Sequence, residues 1–366
     1  MMSVVDKSTS CSEKNTECSR LKVGIVGASG YTGLLLLHLL KSHPLVDVVC
    51  VTARQYAGQL MSAVFPSVLD RQLRFVDVDQ DLSPLMACQL VFLATPHGVS
   101  MAMVPALLQA GVRVIDLSAD FRLQDAALWQ DWYHQPHTAP TYLAEAVYGL
   151  TEHYRKQVVS ARLIANPGCY PTAVQLALWP LLKHQLIEPA GIVIDAKSGV
   201  SGAGRQAKTN LLASEVIGSF KAYGGEGHRH WPEIHQGLSA MLPEDRRQAL
   251  SMTFLPHLVP MVRGIEASIY VLPRASIQDC QQALEEAYQE AFFVQVMQGF
   301  PDSKSVQGTN HCQIGIAQQK GSPHLVISSV IDNLIKGAAG QAIQNMNVMM
   351  GWTESLALQN LVPMVP

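Results

Sequence analysis

A chain of 366 residues with 48% apolar and 15% charged side chains can bury the cores of two folded units, and such a composition excludes a disordered or fibrous protein. A formal net charge of −3 offers no electrostatic footprint for nucleic acid, and the longest apolar runs are too short or too interrupted to span a bilayer. Seven cysteines, an odd number with no Cys-x-x-Cys pair, argue against a disulfide framework or a zinc knuckle and suit a reducing cytoplasm.

Residues 1–20 are rich in Ser, Lys, Glu and Asp and lack the apolar block of a secretory signal, so they read as a disordered leader. From Leu21 onward, short apolar runs alternate with helical patterns. Residues 22–28, 46–53, 90–95 and 112–117 are expected strands, with helices over 32–40 and 101–110 between them. That alternation predicts an α/β fold: a Rossmann-type, doubly wound parallel sheet with helices on both faces. A strand-like stretch over 162–165 leads into Cys169, and a helix-like one over 173–182 follows it. Beyond, the expected strands 191–196, 250–256, 265–272 and 325–332 have longer and less regular connections. They predict a second α+β unit with a mixed sheet, and a last helix runs from 334 to about 349. The expected domains are a nucleotide-binding unit over 21–165, completed by 332–366, and an α+β catalytic and dimerisation unit over 166–331.

The first expected strand ends in Gly27-Ala28-Ser29-Gly30-Tyr31-Thr32-Gly33. Glycines at this spacing, between a strand and a helix, allow a tight turn and close approach to a pyrophosphate, which then meets the helix N-terminus. The second strand ends in Thr52-Ala53-Arg54 with no acidic residue to grip a ribose diol, so Thr52 and Arg54 point to NADP. The run Asp116–Arg122 closes the last strand of this series, at the edge where sheet ligands bind. Arg122 there would either clamp a phosphate or carboxylate or pair with Asp120.

Cys169 follows Asn166-Pro167-Gly168, with Pro171 two residues on. Pro suits a first helical turn, which places the sulfur near a helix N-terminus, where unpaired N–H groups and the dipole favour a thiolate. Most free cysteines are small core residues, but a polar turn is a poor place to hide one. The glycine-serine run from Lys197 through Ser201 to Arg205 could wrap a phosphate between two cations or simply be a surface loop. His228 and His230 stand ahead of a Pro232-Glu233 helix start. Either histidine could move a proton near neutrality, with His230 favoured, and the pair lacks nearby companions for a metal site. A cysteine nucleophile beside a nicotinamide suggests acyl transfer to sulfur, hydride reduction of the thioester, and release of an aldehyde.

Nine segments in order extend this reading: GASGYTG at Gly27, TARQYAG at Thr52, ATPHG at Ala94, DLSADFR at Asp116, NPGCYPT at Asn166, KSGVSGAGR at Lys197, HRHWPEI at His228, PHLVPMVRGI at Pro256 and DNLIKGAAGQAIQNMN at Asp332. Over about residues 21–350 the chain resembles the N-acetyl-gamma-glutamyl-phosphate reductase family, the arginine-biosynthesis relatives of the aspartate-semialdehyde dehydrogenases. The resemblance implies Cys169 as nucleophile and His228 or His230 as acid/base. It implies Arg122 and Asn166 around the substrate phosphate, and Lys197, Ser201 and Arg205 of the glycine-serine run are the further expected substrate contacts. NADP would rest on Gly27, Ser29, Gly30, Tyr31, Thr32, Gly33, Thr52 and Arg54, with Thr95, Pro96 and Asn333 nearby. The implied reaction is NADPH-dependent reduction of N-acetyl-L-glutamyl 5-phosphate to the 5-semialdehyde with release of phosphate. The leader and the bulky Trp231 depart from the family pattern. An aspartyl or aminoadipyl phosphate is the alternative substrate. A non-catalytic NADP-binding scaffold is a third reading, opposed by the intact cysteine and histidines. The expected partners are a small-molecule substrate and further copies of the chain, as dimer or tetramer, with no nucleic acid, membrane or metal.

Overall fold

Val23, Ile25 and Val26 are all buried, as in a strand covered on both faces. That strand, β1 (Leu21–Val26), is central to a sheet with β2 (Val46–Thr52), β3 (Phe75–Val76), β4 (Leu90–Leu93), β5 (Arg113–Asp116), β6 (Val147–Tyr148) and β7 (Leu163–Ala165). In the computed structural model, which describes residues 20–70, 72–79 and 81–363, the order is β3-β2-β1-β4-β5-β7-β6 and every pairing is parallel. Strand order reverses between β1 and β4, and the crevice above their C-terminal ends is where such sheets bind ligands. The helices Tyr31–Lys41 and Ser100–Gln109 leave from that edge. The expected leader, with Cys11 and Cys18, lies outside the described residues apart from Arg20.

The second sheet holds β8 (Ile192–Ser198), β9 (Lys221–Ala222), β10 (Met252–Leu258), β11 (Ile265–Val271), β12 (Val294–Met297), β13 (Cys312–Gln318) and β14 (Leu325–Ile331). Its order is β12-β13-β14-β11-β8-β10-β9, with parallel and antiparallel pairs mixed. Along β8 and β11, buried residues alternate with partly or fully exposed ones, so one face packs and the other stays open. The packed face meets the helix Cys169–Lys183, whose Leu176, Ala177 and Leu181 share a core with Ile194, Ala267 and Ile327.

After β14 the chain returns to the first sheet. The single helix expected over 334–349 is two pieces, a π-helical turn Ile335–Ala339 and an α-helix Gly340–Met349. Ala342, Ile343 and Met346 of the latter join the core that contains Leu36, Leu37 and Ile25.

Candidate active site

Cys169 is the first residue of its helix, which puts Pro171 in the first turn as expected, and Gly168 caps it in extended conformation (φ −68°, ψ 158°) with no side-chain bond. Its first N–H groups thus lack side-chain partners, a standing attraction for negative charge. Glu233, buried on the facing helix His230–Met241, fixes the approach. One carboxylate oxygen accepts the Gly168 N–H at 2.8 Å and the Tyr148 hydroxyl at 2.7 Å; the other lies 3.3 Å from Arg122 Nη1. Arg122 donates Nε to the Asn166 carbonyl and Nη2 to the Leu117 carbonyl, both at 2.8 Å. Arg122 therefore pairs with Glu233, not with Asp120, which instead accepts the N–H groups of Gly98 and Met101.

His230 shares a helix face with Glu233, three residues on. A side chain on Gly168 would put its Cβ 2.5 Å from His230 Nε2, so glycine there lets the imidazole come up to the cysteine turn. Burial, with His228, Arg122 and Arg229 nearby, holds His230 well below the usual imidazole range, so the ring is neutral and available as a base. His228 has a different place. Its Nδ1 accepts the His230 N–H at 3.1 Å, and its ring packs edge-on against Tyr170, Tyr223 and Phe254. The thiol does not follow the helix dipole in this state: burial pushes Cys169 up to about 11 despite the Tyr170 N–H and Arg122.

Cys169 and His230 open into a cleft of about 1020 Å³ that also reaches the turn after β1. Gly27 has φ +79°, and a Cβ there would collide with the Ala94 carbonyl. Gly33 packs against the Gly27 carbonyl with no room for a side chain, whereas Gly30 has only that carbonyl within 4 Å, at 3.5 Å. The helix Tyr31–Lys41 has no side-chain cap, so its first N–H groups are free for a phosphate. A dinucleotide fits this cradle. Two arginines bridge the units around it: Arg205 donates to the Ser29 carbonyl at 2.9 Å and lies over the Phe65 ring, and Arg229 donates to His97 at 2.9 Å.

Two family profiles cover this architecture: semialdehyde dehydrogenase, NAD binding domain, over residues 22–161, and semialdehyde dehydrogenase, dimerisation domain, over residues 169–333. The chain is 50% identical over 343 residues to N-acetyl-gamma-glutamyl-phosphate reductase of Marinobacter nauticus, spanning 92% of this chain and 98% of the relative. It is 49% identical over 349 residues to the enzyme of that name from Nitrosospira multiformis, spanning 94% and 100%. The chain belongs to the N-acetyl-gamma-glutamyl-phosphate reductase family. Its fold is that of aspartate semialdehyde dehydrogenase II from Vibrio cholerae, with a TM-score of 0.68 at 18% identity over 91% of this chain and 99% of that one. A probable aspartate-semialdehyde dehydrogenase from Pseudomonas aeruginosa is similar at TM-score 0.64 and 22% identity, over 91% and 99%.

Within this reductase-family site, Ser29, Tyr31, Thr32, Thr95, Pro96 and Asn166 line the cleft, as do Ser201, Arg205 and Asn333. Asn166 is held by the Ala338 carbonyl and Asn345. Asn333 donates to Ser201 Oγ at 3.0 Å and accepts the Gly264 N–H at 2.8 Å. Two expectations, Thr52 and Lys197, need correction. Thr52 is buried, and its hydroxyl accepts the Gly27 N–H at 3.4 Å, so it supports the turn from beneath. Arg54 is 74% exposed and paired with Asp79, directly before Gln55 and Tyr56, which line the cleft. Lys197 lies outside the cleft, on the open face of the second sheet, with Asp195, Ser268 and Glu266. The strand continues through it to Ser198, and strand alternation turns its side chain away.

Glu233 was legible only as part of a helix start. Its position three residues after His230, together with a buried arginine needing a counter-charge, is the signal that points to it. The contact of Gly337 with Cys169 has no such local signal.

Proposed function

We propose that the chain reduces N-acetyl-L-glutamyl 5-phosphate with NADPH to N-acetyl-L-glutamate 5-semialdehyde, with release of phosphate, through a thioester on Cys169. The observation that carries this is the placement of Cys169, at an uncapped helix N-terminus beside Arg122 and His230, in one cleft with the glycine-rich turn. The names of the relatives supply the acyl group.

In this reading Arg122 and Asn166 receive the substrate phosphate. A guanidinium has five N–H donors, and three of those of Arg122 are committed within the protein, leaving two for the ligand. His230 takes the thiol proton as sulfur attacks the acyl carbon, and the carbon–oxygen bond to phosphate breaks. When bound, the reduced nicotinamide supplies the hydride that converts the thioester to a thiohemiacetal. His230 protonates its oxygen and removes that proton again as the carbon–sulfur bond breaks, releasing the aldehyde and the thiolate. The N–H groups at the start of the Cys169 helix stabilise the oxyanions on either side of hydride transfer. Exposed Arg54, swinging from Asp79, is the 2′-phosphate partner that selects NADP.

The dimerisation-domain match and the open face of the second sheet, where Val193, Tyr270 and Leu272 are exposed, support a homo-oligomer joined through that face. Free thiols at all five cysteines among the described residues support a cytoplasmic setting. The test is phosphate-dependent reduction of NADP by N-acetylglutamate semialdehyde, with aspartate semialdehyde and the acetylated aminoadipate homologue alongside. Turnover with the first alone supports the assignment; turnover with another alone replaces the acyl group.

A further inference from the structure

The turn that touches Cys169 is unusual in geometry and in what holds it. Gly337 N–H donates to the Asp332 carbonyl at 3.0 Å and Ala339 N–H to the Leu334 carbonyl at 2.9 Å, the wide i to i−5 spacing of a π-turn, which is rare and concentrated at functional sites. Gly337 presses on the nucleophile: a Cβ there would stand 2.7 Å from Cys169 Cβ and 3.1 Å from its Cα. The next carbonyl, Ala338, accepts the Asn166 side chain at 3.2 Å. The turn therefore bears on Cys169 and Asn166 together.

Directly before these contacts in the chain stands Lys336, wholly buried. Its ammonium donates to Glu152 at 2.6 Å and to Gln344 at 2.8 Å, and faces the Phe293 ring at 5.6 Å. Glu152 belongs to the helix Thr151–Ser160 and also accepts from Gln344 at 3.0 Å. A buried ion pair is a poor way to add stability, but it defines where two elements must sit. Neither charge is near enough to bond the reacting groups described above. Asp332 secures the start of the turn, accepting the N–H groups of Leu334 and Ile335. Lys336 secures its middle.

We infer that Lys336, locked to Glu152, is a positioning residue that holds the π-turn against Cys169, keeping the nucleophile packed and oriented. The inference rests on Cys169 as nucleophile, and deepens that reading. Removing both charges together avoids leaving either one buried and unpaired.

The test compares wild type with Lys336→Met/Glu152→Gln. Iodoacetamide labelling at pH 8 is followed peptide by peptide, with kcat, KM and the NADPH dissociation constant measured in parallel. The expected result is labelling of Cys169 faster by at least about fivefold, because a loosened turn packs less tightly on the cysteine and more thiolate forms. Cys88 and Cys280 stay protected, kcat falls by about tenfold to 10²-fold from misplacement of the sulfur, and NADPH binding is unchanged. Wild-type labelling of Cys169 with kcat within about twofold overturns the inference. Cys88 and Cys280 opening together with Cys169 also overturns it, because the pair then only stabilises the fold. Loss of Cys169 as nucleophile is a separate result, read from activity surviving in Cys169→Ser with Lys336 intact.

Discussion

The Gly168 N–H donates to Glu233 Oε1 at 2.8 Å, one residue before the sulfur. The same carboxylate holds Arg122 and the Tyr148 hydroxyl, so one side chain sets both the cysteine turn and the cation beside it. Burial and the adjoining carboxylate push the Tyr148 phenol well above its ordinary range, keeping it a donor. Glu233→Ala strands a buried guanidinium and is expected to cost about 3–5 kcal/mol, read by denaturant unfolding. Glu233→Gln keeps an acceptor for Gly168 and should cost less. Equal stability of Glu233→Ala and wild type contradicts the arrangement.

The two histidines should separate cleanly. His230→Asn is expected to lower kcat by about 10²- to 10⁴-fold, the usual worth of a general acid/base. His228→Asn should lower it far less, since His228 only braces the His230 backbone. Because the pKa of His230 is depressed, its neutral form persists as pH falls below 6.5, so the wild-type rate should show no loss from this group between pH 8 and about 6.5. A His228 variant as impaired as the His230 variant contradicts the assignment.

Cys169 in the ligand-free protein should be a sluggish thiol. With its pKa raised to about 11, only about 10⁻⁴ of it is thiolate at pH 7, and labelling by iodoacetamide should rise about tenfold per pH unit up to about pH 10. The sign follows from burial, which disfavours the charged form. A plateau near pH 8 contradicts it.

Arg54→Ala should weaken NADPH binding far more than NADH binding, measured by fluorescence titration. Its exposed pair with Asp79 contributes about 0–1 kcal/mol to the fold, so stability should hardly change. Equal weakening of both cofactors removes Arg54 from the 2′-phosphate.

Much of this site is written locally. Gly27 needs a positive φ, and Gly33 cannot carry a side chain against the Gly27 carbonyl, so the turn after β1 announces itself in the sequence. Pro171 and the Asn-Pro-Gly turn likewise mark where the Cys169 helix begins. Lys197 misled because a glycine-serine run resembles a loop, while the strand before it extends to Ser198 and alternation decides the facing. Glu233 and Arg122 meet across 111 residues, a pairing no local pattern encodes. The π-turn at Gly337 was hidden because a helical period cannot distinguish one widened turn within a long helix. The two-residue strands β3, β6 and β9 are too short to show any period.

The most direct measurement is mass spectrometry, of the intact protein and of its peptides, after mixing the enzyme with N-acetylglutamyl phosphate in the absence of NADPH. The account predicts one added N-acetylglutamyl group on the Cys169 peptide, one equivalent of phosphate released, and discharge of the adduct as aldehyde when NADPH is added. No adduct on wild type while turnover proceeds, or turnover retained in Cys169→Ser, would contradict the thioester route.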